Sequence, residues 1–334
     1  MSTIPFVTLD DPRYGEVVQV APLVRRVIAS NPSKFTYHGT GTYIVGGAGV
    51  GDAVAVIDPG PTNDAHRDAL AAAVAGQKVT AILVTHCHAD HSPLAEWLRT
   101  ETGAPTVAFG PHGRDEREIG EVPGFDDPQP GDASADGVDA PEGGAGAEVK
   151  IEESVDLAFE PDVRVADGDM AAHGDGWTLR AVFTPGHTSN HTCFSLDEQC
   201  ALFTGDHIMG WSTTVIGPPD GDMRAYFDSL HKVRGRSDTT FWPTHGSPVT
   251  DTRPFIDAFV AHRLCREAQV LAAVRDGLSG IGPLVECLYA GVRKELHKPA
   301  ARSVLAHLVK LVDDGVVAVE EGGAPRLDSG YRAV

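Results

Sequence analysis

The chain has 334 residues, 42% of them hydrophobic, which is enough to bury a core and excludes a wholly disordered protein. Its 27 basic and 47 acidic residues leave a net charge of −20, which opposes nonspecific binding to phosphate backbones and anionic membranes. The length suits one catalytic domain with a small appendage.

No uninterrupted apolar run approaches the roughly 20 residues of a membrane helix. The opening MSTIPFVTLDDPRYGE lacks the basic start and apolar middle of a signal peptide. Five cysteines (Cys87, Cys193, Cys200, Cys265 and Cys287) are scattered without paired spacing. These features predict reduced thiols and a cytoplasmic protein.

Along the chain, VVQV, LVRRVI, TYIVG and AVAVID predict short strands. GGAGVG (Gly46 to Gly51) falls between two of them and reads as a hairpin loop rather than a phosphate cradle. Asp64 to Ala75 predicts a helix stopped by Gly76, and AILVT (Ala81 to Thr85) a buried strand. Ser92-Pro93 predicts the next helix start, with Ser92 as N-cap, and Gly103 its end. Between Gly113 and Asp162, 16 acidic residues face 3 basic ones. Rich in Gly, Pro, Asp and Ala without periodicity, this stretch predicts a flexible, solvated insertion over about 113–160 that overhangs the site entrance. Strands then return as VRV, WTLRAVF, TCFSL, ALFT and TTFWP. WTLRAVF ends at TPGHT, ALFT at GDH and TTFWP at THG, so several strand ends deliver His or Asp to one edge of a layered α/β structure.

The strongest signal is His86-Cys87-His88-Ala89-Asp90-His91. Two histidines one residue apart can turn their imidazoles to the same side, and Asp90-His91 can face a second point a few ångströms away. With His187, Asp206 and His245 from the other strand ends, five imidazoles and two carboxylates give three ligands to each of two cations plus a bridging carboxylate. Coordination stays open for water, as a catalytic site requires. Cys87 lies between two ligands, but alternation points it away as a spectator. Two further candidates sit nearby: Asp58, ending AVAVIDPG, as a turn former or hydrogen-bond acceptor for a ligand, and His191, as a residue orienting a ligand or the substrate.

HCHADH with PGHT, GD and PTHG resembles the metallo-β-lactamase superfamily, and more closely the branch around β-lactamase-like protein 2. That similarity extends through NPSKFTYHGTGTYIVG, VADGDM, GDHIMGWSTTVI and AHRLCREAQVL, so it covers most of the chain. The resemblance implies an αββα sandwich in which His86, His88 and His187 hold one metal, Asp90, His91 and His245 the other, and Asp206 bridges them. It implies Zn2+, two per chain, with Mn2+ or Fe2+ as alternatives. The expected chemistry is attack by a hydroxide shared between the metals on an ester, thioester or lactone, with Asp90 carrying the proton. Single-strand RNA cleavage on the same site is the alternative, with β-lactam hydrolysis as a weak activity. The charge of −20 favours a small acyl substrate over nucleic acid.

From Pro254, DAFVAHRLCREAQVLAAV predicts a long helix with Phe259, Leu264, Val270 and Leu271 on its apolar face. Two more helices and a short two-stranded wing follow, resembling the winged-helix domain attached to this branch. The expected division is a catalytic domain over 1–253 and a winged-helix-like domain over 254–334. The helix in the DNA-reading position carries Arg302 and Lys310 against Asp313 and Asp314. Packing, self-association into a homo-oligomer or walling the active site is therefore expected rather than DNA reading.

Overall fold

A computed structural model describes residues 4–9, 11–113, 118–122, 154–292 and 294–334. Residues 123–153, the bulk of the expected acidic insertion, lie outside the described residues. The first sheet has seven strands, adjacent in chain order. These are β1 (Val18–Ala21), β2 (Val24–Ile28), β3 (Gly41–Gly46), β4 (Ala53–Ile57), β5 (Lys78–Leu83), β6 (Thr106–Ala108) and β7 (Val163–Arg164). Pairing is antiparallel from β1 to β4 and parallel from β4 to β7. The parallel steps need crossovers, which α1 (Asp64–Ala73) and α2 (Leu94–Thr102) supply between β4, β5 and β6. The second sheet holds β8 (Met170–Gly174), β9 (Trp177–Phe183), β10 (Thr192–Leu196), β11 (Ala201–Gly205) and β12 (Thr240–Pro243). Only β11 and β12 of that sheet run parallel, joined through α3 (Met223–Arg234).

Strand alternation produces the layers. In β4, Ala55 and Ile57 face the interior between the sheets, where they meet Trp177, Leu179, Phe194 and Phe203. Val54 and Val56 point the other way and pack with Leu70 of α1 and Leu98 of α2. The outer face of the second sheet, through Leu202 and Phe241, is covered by Tyr226, Phe227 and Leu230 of α3. This is the expected four-layer αββα sandwich.

The tail begins with α4 (Thr252–Arg275), followed by α5 (Ile281–Leu288), α6 (His297–Asp313) and the antiparallel wing strands β13 (Val317–Val319) and β14 (Tyr331–Ala333). Helix α4 belongs to both halves: Phe255, Ile256 and Phe259 pack with α3, whereas Val270, Ala273 and Val274 pack with α5, α6 and the wing. At roughly 100° per residue these positions form one stripe, and Leu264 falls on the opposite side from Phe255. Leu264 is accordingly 51% exposed and does not join the apolar face predicted for it. Ser92 also departs from expectation. Helix α2 has no side-chain N-cap bond, and the Ser92 hydroxyl donates to Asp156 Oδ2 at 2.8 Å, tying the HCHADH loop to the far end of the expected insertion, where Phe159 is buried and Val155 packs against the same core rather than being solvated. Gly103, at φ 71°, ends α2 in the left-handed conformation that suits glycine. Among the described residues no helix is long and apolar enough to cross a membrane, and all five cysteines are unpaired.

Candidate metal centre

Strands β9 and β11 are both antiparallel to β10, so they point the same way, and β12 runs parallel to β11. His187, Asp206 and His245 follow their ends, while the loop after β5 delivers His86, His88, Asp90 and His91 from the first sheet. All seven meet at one edge of the sandwich. His88 Nδ1 lies 3.0 Å from His86 Nε2 and 3.2 Å from His187 Nε2. Beside them, Asp90 Oδ2 lies 3.4 Å from His91 Nε2 and 3.2 Å from His245 Nε2. Asp206 reaches both groups, with Oδ1 3.4 Å from His245 Nε2 and Oδ2 3.9 Å from His187 Nε2. The sets His86–His88–His187 and Asp90–His91–His245 each gather their donor atoms tightly enough to hold a cation.

The outward ring nitrogens are held as a metal site needs. His91 Nδ1 donates to Asp58 Oδ2 at 2.9 Å, His187 Nδ1 to the Val215 carbonyl at 2.7 Å, and His245 Nδ1 to the Gly39 carbonyl at 3.1 Å. His86 Nδ1 lies 3.0 Å from Thr85 Oγ1, whose hydroxyl donates to Asp58 Oδ2 at 2.8 Å. With the outer nitrogens carrying the protons, the inner ones keep their lone pairs for a cation. Asp58 also accepts from the Thr85 amide at 2.8 Å and the Thr244 hydroxyl at 3.1 Å, and it sits at φ 50°. It is both a turn residue and the acceptor that orients His91. His191 is fully buried beneath Asp206: its Nε2 accepts the Asp206 amide at 3.2 Å and its Nδ1 meets Thr184 Oγ1 at 2.9 Å. It positions the backbone of Asp206 and does not line the cavity. Thr40 donates to Asp90 Oδ2 at 3.1 Å. Cys87 turns away, its sulfur accepting from Asn190 Nδ2 at 3.0 Å.

The electrostatics match this division. Burial, and then neighbouring rings, push His86 well below the usual histidine range and His88 to about 3, so both are neutral ligand-type imidazoles. Burial alone would lower His245 too, but Asp206 and Asp90 outweigh it and raise His245 to about 10. Asp90, Asp206 and Asp58 likewise raise His91 against its burial. Buried carboxylates therefore demand positive charge here. His91 Nε2 and Asp206 Oδ1 are buried without a hydrogen-bond partner, which is costly unless a cation satisfies them. The donor set of imidazoles and carboxylates fits Zn2+ or a similar divalent ion.

Above the ligands opens a cavity of about 290 Å3 whose lining includes His88, Asp90, His187, Asp206 and His245. Its walls are largely apolar, from Phe35, Val155, Met209 and Val215, and α6 of the tail adds Arg302. Ile119, at the edge of the insertion, also lines it, with its carbonyl accepting from the wing residue Leu327 at 2.6 Å. Motif reading did not find Thr40, Thr85, Thr244 or the carbonyls of Gly39 and Val215. None carries a spacing signal of its own, although Gly39 and Thr40 fall inside NPSKFTYHGTGTYIVG.

Residues 39–245 match the metallo-beta-lactamase superfamily profile, and residues 281–324 match the beta-lactamase associated winged helix domain. The chain is 30% identical over 328 residues to an atrochrysone carboxyl ACP thioesterase of Aspergillus chevalieri, a match covering 94% of this chain and 89% of that one. It is 28% identical over 325 residues to the lactamase-like protein adaB of Aspergillus niger, covering 92% and 86%. A beta-lactamase domain protein from Burkholderia ambifaria aligns with TM-score 0.72 at 20% identity, over 97% of this chain and 95% of that one. A metallo-beta-lactamase family protein from Thermus thermophilus aligns with TM-score 0.68 at 23% identity, over 95% and 100%. With the ligand motifs gathered at one edge of an αββα sandwich and a winged helix behind them, the chain belongs to the metallo-beta-lactamase superfamily and is a hydrolase of that superfamily.

Proposed function

We propose that this hydrolase cleaves a small acyl thioester, with ester or lactone cleavage as related activities, on a site holding two Zn2+ ions. The observation that carries the reading is the seven-ligand cluster at the floor of a confined, largely apolar cavity. The similarity to relatives named as acyl carrier protein thioesterases favours the thioester among the acyl substrates. His86, His88 and His187 would hold one ion, Asp90, His91 and His245 the other, and Asp206 would lie between them. Mn2+ or Fe2+ would suit the same donors. Bound divalent ions supply polarisation of the scissile carbonyl and activation of water near neutral pH.

The chain's own groups do the rest. Phe35, Met209 and Val215 exclude water around the acyl chain. The Asp90 carboxylate, facing the cavity and held ionised by His91 and His245, takes the proton released by the attacking water and returns it to the leaving thiolate. Thr40 Oγ1 and Asn31 fix that carboxylate, since Asn31 Nδ2 donates to Thr40 Oγ1 at 3.0 Å. Asp58 and His191 hold a ligand and the bridging residue in place. We divide the chain into a catalytic domain over 1–253 and a winged-helix domain over 254–334, and propose a cytoplasmic setting with a small-molecule or carrier-bound acyl partner. Nucleic acid fits less well, because α6 buries Ala301, Val304, Leu305, Ala306 and Leu308 and is packed into the body of the protein. The test is zinc-loaded protein assayed against acyl thioesters, esters, lactones, a penicillin and single-stranded RNA. Thioester turnover lost in Asp206→Ala is expected. RNA cleavage with no detectable thioester, ester or lactone turnover would overturn the reading.

A further inference from the structure

Among the imidazoles of the cluster, His88 is held differently from the rest. The outer nitrogens of His86, His91, His187 and His245 meet Thr85 Oγ1, Asp58 Oδ2, the Val215 carbonyl and the Gly39 carbonyl. His88 turns Nδ1 inward, toward His86 and His187, and among the described residues its outer Nε2 has no hydrogen-bond partner. A ligand ring is normally fixed by what its other nitrogen bonds. Without that acceptor, the orientation of His88 has to come from its backbone, and Nδ1 is the ring nitrogen nearer the main chain.

That backbone is clamped from outside the loop. The Ala89 amide donates to the Ser154 carbonyl at 2.9 Å and the Asp156 amide to the Cys87 carbonyl at 2.8 Å, which sets His88 opposite Val155 in an antiparallel bridge. The two bonds flank His88, and residues directly opposite in such a non-hydrogen-bonded pair bring their side chains closest. His88 and Val155 both line the cavity. Asp156 locks this clamp in register. Its Oδ2 accepts from the Ser92 hydroxyl at 2.8 Å, at the far end of the loop, and its Oδ1 accepts from the Ala158 amide at 3.1 Å. Phe159 anchors the following turn in the core that includes Ala95 and Leu98 of α2.

We propose that Asp156 is a positioning residue for the metal centre: by holding residues 154–156 against the HCHADH loop, it orients His88. The proposal rests on the metal-centre reading above and concerns one of its two ligand sets. His86–His88–His187 depends on Asp156, whereas Asp90–His91–His245 keeps its own anchors in Thr40, Asp58 and the Gly39 carbonyl. Asp156 acts through its hydrogen bonds to the loop and not as a ligand. The far end of the acidic stretch is thereby part of the frame of the site.

Affinities for Zn2+ and Co2+ are measured on the full chain by competition with a chromophoric chelator. Two backgrounds isolate the ligand sets, His91→Ala leaving His86–His88–His187 and His88→Ala leaving Asp90–His91–His245. Asp156→Ala is expected to weaken binding about tenfold or more in the His91→Ala background, and by less than about threefold in the His88→Ala background. Ser92→Ala breaks the same hydrogen bond from the other side. It should shift affinity in the same direction, and combined with Asp156→Ala it should cost little more than Asp156→Ala alone. Asp156→Asn keeps an acceptor for the Ser92 hydroxyl, so it should restore most of the affinity and the wild-type Co2+ absorption spectrum. Circular dichroism and urea midpoints of the metal-free proteins check folding, and if Asp156→Ala does not fold, Ser92→Ala carries the same comparison. Loss below about threefold in the His91→Ala background, or a loss of similar size in both backgrounds, overturns the proposal. Wild-type protein that binds no divalent ion would instead end the metal-centre reading, and this assignment with it.

Discussion

Replacing Asp58 with Asn exchanges a carboxylate oxygen for an amide nitrogen of nearly the same size, and the structure gives that exchange a defined consequence. Asp58 Oδ2 receives the proton of His91 Nδ1 at 2.9 Å and those of the Thr85 and Thr244 hydroxyls at 2.8 and 3.1 Å. A carboxylate can only accept, so it holds His91 with Nδ1 protonated and Nε2 open toward Asp90 and Asp206. An amide donor at the same place favours the opposite tautomer, with the proton on Nε2, where it blocks the ligand atom. Asn also tolerates the φ of 50° that this position requires, so the variant separates charge from backbone strain. Loss of such an orienting acceptor costs about 10–100-fold in metal affinity, or roughly 1.4–2.7 kcal/mol. Competition with a chromophoric chelator measures it directly. We expect Asp58→Asn to lose at least part of the metal held by Asp90, His91 and His245, while denaturation of the metal-free protein shifts far less than in Asp58→Ala. The alanine leaves four buried donors without an acceptor, at about 1–3 kcal/mol for each that finds no other partner. Metal affinity within threefold of wild type in Asp58→Asn would refute the tautomer argument.

Protein purified without chelator should carry about two metals per chain. Asp206→Ala should lose at least one of them with its activity, whereas Cys87→Ser should keep both, as elemental analysis will show; marked loss from the serine variant would contradict the outward orientation of Cys87. His66 predicts an acid sensitivity. Burial, offset in part by the Pro59 carbonyl, lowers its pKa from 6.5 to about 4. Above pH 6.5 its neutral ring fits the fold, and as pH falls toward 4 the unfolded chain binds a proton that the folded chain resists, removing up to about 3 kcal/mol. Urea midpoints of His66→Gln between pH 7 and 4 should decline less steeply, and a profile parallel to wild type would reject this. Deleting 254–334 removes Phe255, Ile256, Phe259 and Ala306 from the core around α3, so the truncated chain should aggregate. A soluble, fully active monomer would show that α4 is dispensable to the catalytic fold.

The cluster of imidazoles and carboxylates that could hold metal was legible in the sequence because its geometry is mostly local. HCHADH sets four donors on one turn, and PGHT, GD and THG each follow a strand whose alternating pattern is itself visible. Alternation likewise sent Cys87 away from the cluster and divided β4 between two layers. The outer partners left no such trace. Gly39 and Val215 act through backbone carbonyls, which no side-chain pattern records, and Thr244 reaches Asp58 only because two sheets close on each other. Ser92 carried a good capping signal, but α2 begins at Leu94 with Pro93 in the N-cap position, so the Ser92 hydroxyl lies one residue too early to cap and donates to Asp156, 64 residues away. Leu264 looked like core by composition and lies outside by angle, since helical phase is set by what α4 packs against. Arg302 was visible as a cation on a helix. Its position over the catalytic cavity depends on how α6 docks against α3 and α4, a long-range packing outcome that local propensity does not encode.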